Sequence, residues 1–393
     1  MTSLNIGGQP ETNPLKNDKL VNRLLSRIKP TNKMFGLVVI LLCLGYLIYY
    51  IYQQINLKTI NCHNIKKVYG NDINRHISSI YNSGKKLYNI RDYYIKTAYN
   101  CCSTGQFKND YVSECALKEV IKQGVRCLDF EIYSIDNKPV IATSSIDDYT
   151  IKETYNSLSC DDVFKDINKW AFNHQTCPNP EDPLFINLRI KSNNCKIYGT
   201  DINDLSSSSL LSIIHKNFSD RLLDAEYSYE YQAMNLGNVP LNDIKKKIII
   251  MIDGTNPLFR HTGLNEYVNI AGGTTFFRHL KNKDVIFTQD LGLTDHNKKK
   301  MSIVLPDISP YDTNPNFNIV KQYGCQFIGM SFQNFDSHLE YYNEFFDSEG
   351  SAFVLKPDDL RYIPVTIPEP PPQNPEYSYK TRPIKSDFYS YKI

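Results

Sequence analysis

Gly324–Asp336, GCQFIGMSFQNFD, and Glu344–Pro357, EFFDSEGSAFVLKP, decide how the rest of this chain is read. Phe327 to Phe332 and Ala352 to Leu355 are apolar runs of strand length. Runs this short, bounded by glycine and polar residues, are read as buried strands. The segment between them reads as a polar loop, and the block closes on Lys356-Pro357 and then Leu360-Arg361.

Upstream, further strands are expected at Val125 to Tyr133, Pro139 to Ala142, Leu184 to Ile190, Ile248 to Ile252 and Met301 to Leu305. Helical patterns lie between them, as in Tyr111 to Gln123 and Cys160 to Asn173. Strands alternating with helices argue for a parallel sheet with crossover helices. Their number and the length of 93–361 fit an α/β (β/α)8 TIM-type barrel. Gly272-Gly273 lacks the spacing of a phosphate loop and reads as a turn. Lys245-Lys246-Lys247 is expected to cap a helix before a strand, and Lys298-Lys299-Lys300 to form an exposed basic loop able to touch anionic lipid.

Toward the N-terminus, residues 1–33 are polar and basic, with Lys16, Lys19, Arg23, Arg27, Lys29 and Lys33. Residues 34–57 carry no charge. As a helix they would reach about 36 Å, enough to cross a hydrocarbon core of about 30 Å. Tyr46, Tyr49, Tyr50 and Tyr52 crowd one end, as at a membrane interface. Positive charge is denser before the span than after it, which favours a cytosolic N-terminus and a domain on the far side. Residues 58–92 read as a stalk and lead-in, and 362–393 as an extended Pro/Tyr-rich tail. Asn217-Phe218-Ser219 is a candidate glycosylation sequon.

The 393 residues accommodate one large domain or two smaller ones, and the net charge of +2 gives no argument for nucleic-acid binding. Ten cysteines show no zinc spacing. Cys115, Cys127, Cys160, Cys177 and Cys195 are candidates for pairing in an oxidising space. Over-use of Ile, Asn, Lys and Tyr suggests an AT-rich coding genome, such as that of a protist or a large DNA virus.

The block from Gly324 to Arg361 resembles the closing Y half of the barrel of eukaryotic phosphoinositide-specific phospholipase C. The front half resembles its X half. GVRCLDFEIYS (Gly124–Ser134) resembles the segment with two acidic calcium ligands, and AYNCC (Ala98–Cys102) the first-histidine motif. KPVIATSS (Lys138–Ser145) resembles the strand bearing the second histidine, PLFINLRIKS (Pro183–Ser192) that of a further acidic ligand, and KKKIIIMID (Lys245–Asp253) that of headgroup-binding lysines. The resemblance implies an X-like part over about 93–253 and a Y-like part over about 264–361. It also implies cleavage of a phosphodiester by two imidazoles and a calcium ion.

The residues at those positions are different. Tyr99 stands at the first histidine and Thr143 at the second, and none of the eight histidines lies in either matching strand. A phenol with pKa about 10 is a poor base near neutral pH. Asn100, Asp129 and Glu131 offer oxygens at three of the implied calcium positions, but the fourth is Arg189. Asp129 and Glu131, two apart on a strand, face the same way. Arg189 is therefore expected to pair with them in place of a metal, or to neutralise a bound phosphate. Met251 and Asp253 fall where the lysines belong, and Ser309 or a neighbour where an arginine belongs.

The sequence reading is a single-pass membrane protein, anchored by 34–57, with a degenerate phospholipase C-like barrel. Its expected task is lipid or protein binding, or a structural part of a cell, internal or virion membrane. No cofactor is expected, with a residual calcium site left open; the expected partners are the lipid membrane and a phosphoinositide headgroup or a protein. The rival is an active phosphoric diester hydrolase with an altered acid–base pair, taking a histidine from His261, His279 or His296.

Overall fold

The computed structural model describes residues 30–146, 150–199, 208–228, 235–288, 291–307, 313–364, 368–372, 374, 377 and 379–393. Most of the basic N-terminal segment and Ser309 lie outside the described residues.

Eight strands form a nearly closed parallel barrel. They are β1 (Tyr93–Ala98), β2 (Cys127–Ile135), β5 (Leu184–Ile190), β6 (Ile248–Ile252), β7 (Ile270–Ala271), β8 (Phe277–Lys281), β9 (Met301–Leu305) and β10 (Phe327–Met330). The path runs β7-β6-β5-β2-β1-β10-β9-β8, and each neighbouring pair is parallel. Period-two alternation sorts each strand between two cores. On β5, Leu184, Ile186, Leu188 and Ile190 join the layer under the helices, while Phe185 fills the barrel interior. Phe185, Phe277 and Phe327 meet edge-to-face inside, with the Phe185 and Phe277 ring centroids 5.0 Å and 6.3 Å from that of Phe327. Cys160–Ala171 covers the outside with Cys160, Val163, Phe164, Ile167 and Ala171, the stripe of a one-faced helix. Gly272 lets β6 and β7 approach, because a Cβ there would stand 1.9 Å from the Asp253 carbonyl oxygen.

The opening block sits where it joins β1 to β9. Gln326 donates to the carbonyls of Arg91, Asn297 and Lys300 and accepts from the Ser302 amide, sewing three segments together under the barrel. Its supposed polar loop is instead a helix, Ser337–Glu349, capped by the Asp336 side chain and ended by left-handed Gly350. Aromatic Tyr342 and Phe346 bury one face of it, and the Tyr342 hydroxyl accepts from the Thr97 amide. Phe353–Leu355 (β11) pairs antiparallel with β1, so it flanks the barrel and does not close it. Lys138–Ile141 (β3) likewise forms an antiparallel hairpin with β2, extended by the short β4 (Leu158–Ser159), outside the barrel path.

Other expectations change too. The tail ends in a small hairpin of Pro383–Lys385 with Ser390–Lys392. Asn217 is buried and its amide donates to Asp161 and the Ile213 carbonyl, so the sequon is not presented to solvent. Cys115 pairs with Cys62, whereas Cys127, Cys160, Cys177 and Cys195 are free. Lys245 does cap a short helix, Leu241–Ile244, before β6, and with Lys246 it also pairs with Glu181, whereas Lys298 and Lys299 end a helix, not a loop, before β9 at the barrel end opposite the mouth.

The helix α1 (Pro30–Tyr69) runs 40 residues without a break at Leu57. It is apolar and long enough to cross a membrane over its first part, where the side chains are exposed. Its last turns pack on the barrel, burying Ile65.

Lys356, from the opening block, is fully buried beneath the barrel and donates to the Asn297 carbonyl. Burial pushes its amine down to about 7, against opposing pulls from Cys325 and Asp92. The unfolded amine then binds more protons than the folded one between pH about 7 and the ordinary lysine range, so this contribution to stability rises with pH there. Lys356→Met should raise the Tm at pH 7, and the gain should shrink by about pH 9; calorimetry at the two pH values checks this.

Candidate functional site

The barrel mouth lies at the C-terminal ends of the strands, where inward positions carry polar side chains. In the register of β2 with β5, Asp129 lies beside Asn187 and Glu131 beside Arg189. These four alternate with Leu128, Phe130, Leu188 and Ile190, so strand parity alone turns them inward together. Asn100 follows β1 in a left-handed conformation, φ 45°, which brings its amide to the same point.

Arg189 is the hub. Its Nε donates to both oxygens of Asp129 at 3.0 and 3.2 Å, Nη2 to Asp129 Oδ2 at 2.8 Å and Asn100 Oδ1 at 2.8 Å, and Nη1 to Glu131 Oε1 at 2.6 Å. The guanidinium also lies over the Tyr99 ring, 4.5 Å from its centroid. Burial would lower the Arg189 pKa, but the surrounding charges, led by Asp129, hold it well above its ordinary value. The carboxylates are occupied on their other sides as well. Asp129 accepts from Asn187 at 2.6 Å and from the Asn100 amide at 3.2 Å. Glu131 accepts from the Tyr133 hydroxyl at 2.9 Å and the Ser144 amide at 3.0 Å. All three ionic side chains are almost completely shielded from solvent.

Tyr99 and Thr143, expected where the resemblance puts two histidines, are both packed and hydrogen-bonded or ring-stacked in the interior. Tyr99 is buried edge-on to Phe107, ring centroids 5.4 Å apart, and burial pushes its phenol far up. Its proton therefore stays in place near neutral pH. Thr143 is buried and its hydroxyl donates to the Phe107 carbonyl at 3.1 Å.

Above the Arg189 cluster opens a cavity of about 420 Å³. Lys191, Asp253, His279 and Lys281 line it, with Tyr99 and Arg189 at its floor. His279 is on β8, two residues from the core residue Phe277 on the same inward face. Its Nε2 is shut from solvent and lacks a hydrogen-bond partner, and burial lowers its pKa, so the ring is neutral near pH 7. Lys191 is also pushed down, by burial first and then by Arg189. Asp253 accepts from the Thr255 hydroxyl at 2.7 Å, while Met251 is buried in the barrel interior. His296 bonds the Met301 carbonyl at the far end of β9, and His261 is exposed and does not line the cavity. Asn100, Asp129, Glu131, Arg189 and Tyr99 thus converge, with Thr143 reached through Phe107. The contributions of Asn187, Tyr133 and Ser144 escaped the sequence reading, although Asn187 and Arg189 alternating in an apolar strand were a usable signal.

Residues 88–253 match the family described as phosphatidylinositol-specific phospholipase C, X domain. The crystal structure of S. officinalis PLC21 is similar at TM-score 0.53 and 17% identity, over 71% of this chain and 38% of that one. That of L. pealei PLC21 is similar at TM-score 0.52 and 19% identity, with the same coverages. This chain therefore spans well under half the length of either protein. No curated protein sequence matches it. The barrel shares the fold of these phospholipase C structures.

A calcium ion, which that kind of barrel implies, does not fit these residues. Calcium needs six to eight oxygen ligands at about 2.3–2.6 Å. Here the guanidinium stands among Asn100, Asp129 and Glu131, and every carboxylate oxygen already accepts a hydrogen bond. Among the described residues no group of three or more His, Cys, Asp or Glu side chains is placed to hold a metal.

Arg189→Met should cost about 3–5 kcal/mol of stability, since it strands two buried carboxylates. Arg189→Glu should be at least as unstable in chelator, and added calcium should raise its Tm while leaving the unaltered protein unmoved; thermal melts with and without calcium test both.

Proposed function

We propose that the chain is a single-pass membrane protein whose PLC-like phosphodiesterase barrel does not cleave phosphodiesters. It serves as a non-catalytic binding or structural module at a cell, internal or virion membrane. One observation carries this reading: the Arg189 guanidinium is bonded to Asn100, Asp129 and Glu131, the residues to which the resemblance assigns a calcium ion. Cleavage needs a base for the attacking hydroxyl and an acid for the leaving oxygen. Tyr99 holds its proton, and Thr143 has no useful acid–base range. Fold likeness does not carry activity across such a change.

The apolar first part of α1 supports the membrane anchor through 34–57. The basic segment before it and the Cys62–Cys115 bond both support a cytosolic N-terminus with the barrel in an oxidising space. The stalk, barrel and tail then follow as 58–92, 93–361 and 362–393. Lys191 and Lys281 at the mouth support a phosphoinositide-type headgroup as a ligand held without turnover. Arg189 itself is engaged by carboxylates, which argues against its gripping a phosphate.

His279 favours a second reading, residual phosphodiester hydrolysis with this imidazole as base, because it lies in the cavity with a free, neutral Nε2.

The full chain reconstituted in vesicles containing phosphatidylinositol or its bisphosphate should release no water-soluble inositol phosphate above background, with or without calcium. Turnover that disappears in Asp129→Ala would overturn the proposal. Turnover that survives Asp129→Ala but disappears in His279→Ala would establish the second reading.

A further inference from the structure

The last turns of α1 lie along the barrel in a fixed direction. Asn61 donates to both carboxylate oxygens of Asp110 at 3.0 and 3.1 Å, in the loop after β1. Cys62 is bonded to Cys115, in the first turn of the helix Glu114–Lys122. Tyr69 donates to the Phe332 carbonyl at 2.7 Å and packs against Phe335, ring centroids 5.3 Å apart. Beyond it, the Asn74 amide donates to the Lys122 carbonyl, and its side chain to Asp347, at the ends of two barrel helices. Because barrel helices run antiparallel to the strands, Cys115 is at the mouth end and Lys122 at the opposite end. The chain therefore enters at the mouth and runs down the barrel wall.

It follows that the apolar part of α1 projects from the mouth end. Tyr50, Gln54 and Leu57 already border a crevice whose other wall is Gln106, Asn109 and Asn334, all in loops at the strand C-termini. A headgroup layer is about 5–7 Å deep on each side of the hydrocarbon. With Tyr46 to Tyr52 at the interface, loops level with Tyr50 fall within that layer. Loops at that end expose apolar side chains: Ile151 is 73% exposed, joined by Ile146, Tyr155 and Phe335. The basic triplet Lys298 to Lys300 points the other way, at the far end of the barrel.

We propose that the Cys62–Cys115 bond staples the barrel to its own membrane helix, so that the mouth is held against the leaflet from which that helix emerges, with its apolar loops in the lipid interface. The partner surface is the bilayer in cis, not a second membrane or a soluble protein. This rests on the reading that 34–57 spans a membrane.

Trp170 is the chain's single tryptophan and lies near the end of the helix Cys160–Ala171, away from the mouth. The test places the full chain in vesicles with brominated acyl chains and compares Trp170 with Ile151→Trp made in a Trp170→Phe background. Interfacial apolar side chains sit about 5–10 Å into the headgroup boundary, so the residue 151 signal should be quenched roughly twofold and Trp170 should not. Joint replacement of Cys62 and Cys115 by serine should remove most of the residue 151 quenching. Equal quenching at both sites, or none at residue 151 in chain that stays with the vesicles, overturns the orientation. Quenching that persists in the double serine variant overturns the staple. Chain that does not stay with the vesicles overturns the spanning reading itself.

Discussion

The Arg189 guanidinium, clamped between Asp129 and Glu131, is the interaction on which the barrel mouth depends. Two carboxylates buried side by side would repel at close range, and in a low-dielectric interior that repulsion is large. One planar cation with a rigid fork of donors satisfies both and reaches Asn100 as well. The cost of burying three charges is offset only because the remaining oxygens are bonded by Asn187, Tyr133 and Ser144. The outcome is a rigid plug in which every carboxylate oxygen of Asp129 and Glu131 is engaged by a donor.

Around that plug the architecture is ordinary. Parallel strands buried on both faces supply an inner core of phenylalanines and an outer core beneath helices. Chemistry is left to the last inward layer at the mouth, the place where this fold positions its reacting groups. The layer still holds a cavity, two lysines and a neutral histidine. The cavity wall and the Arg189 cluster thus rest largely on different residues.

Legibility in the sequence followed the strength of local patterns. Leu184–Ile190, Ile248–Ile252 and Met301–Leu305 were read to the residue, because apolar residues dominate each short run. Tyr93–Ala98 was not read as a strand: Lys96 breaks its apolar pattern, and only the barrel wall shows that lysine to be buried near Asp347. Phe277–Lys281 escaped for a similar reason, since three of its five residues are basic. Ser337–Glu349 passed for a loop because its helical stripe is made of tyrosine and phenylalanine among acids. Cys62 was missed as a disulfide partner because sequence spacing says nothing about which helices lie side by side.

By itself the sequence determined the barrel, the apolar N-terminal helix and the absence of histidine from both matching strands, since these depend on residue type and on periods of two and 3.6. It also put Asp129 and Glu131 on one face, because strand parity is local, and the resemblance led to their expected pairing with Arg189. Only the tertiary structure decided the geometry in which the three meet, that His279 shares their cavity, and that Cys62 joins the apolar helix to the wall beside the mouth. Those facts depend on register between strands and on the course of a helix across the barrel. Both are set by long-range packing, which no window along the chain contains.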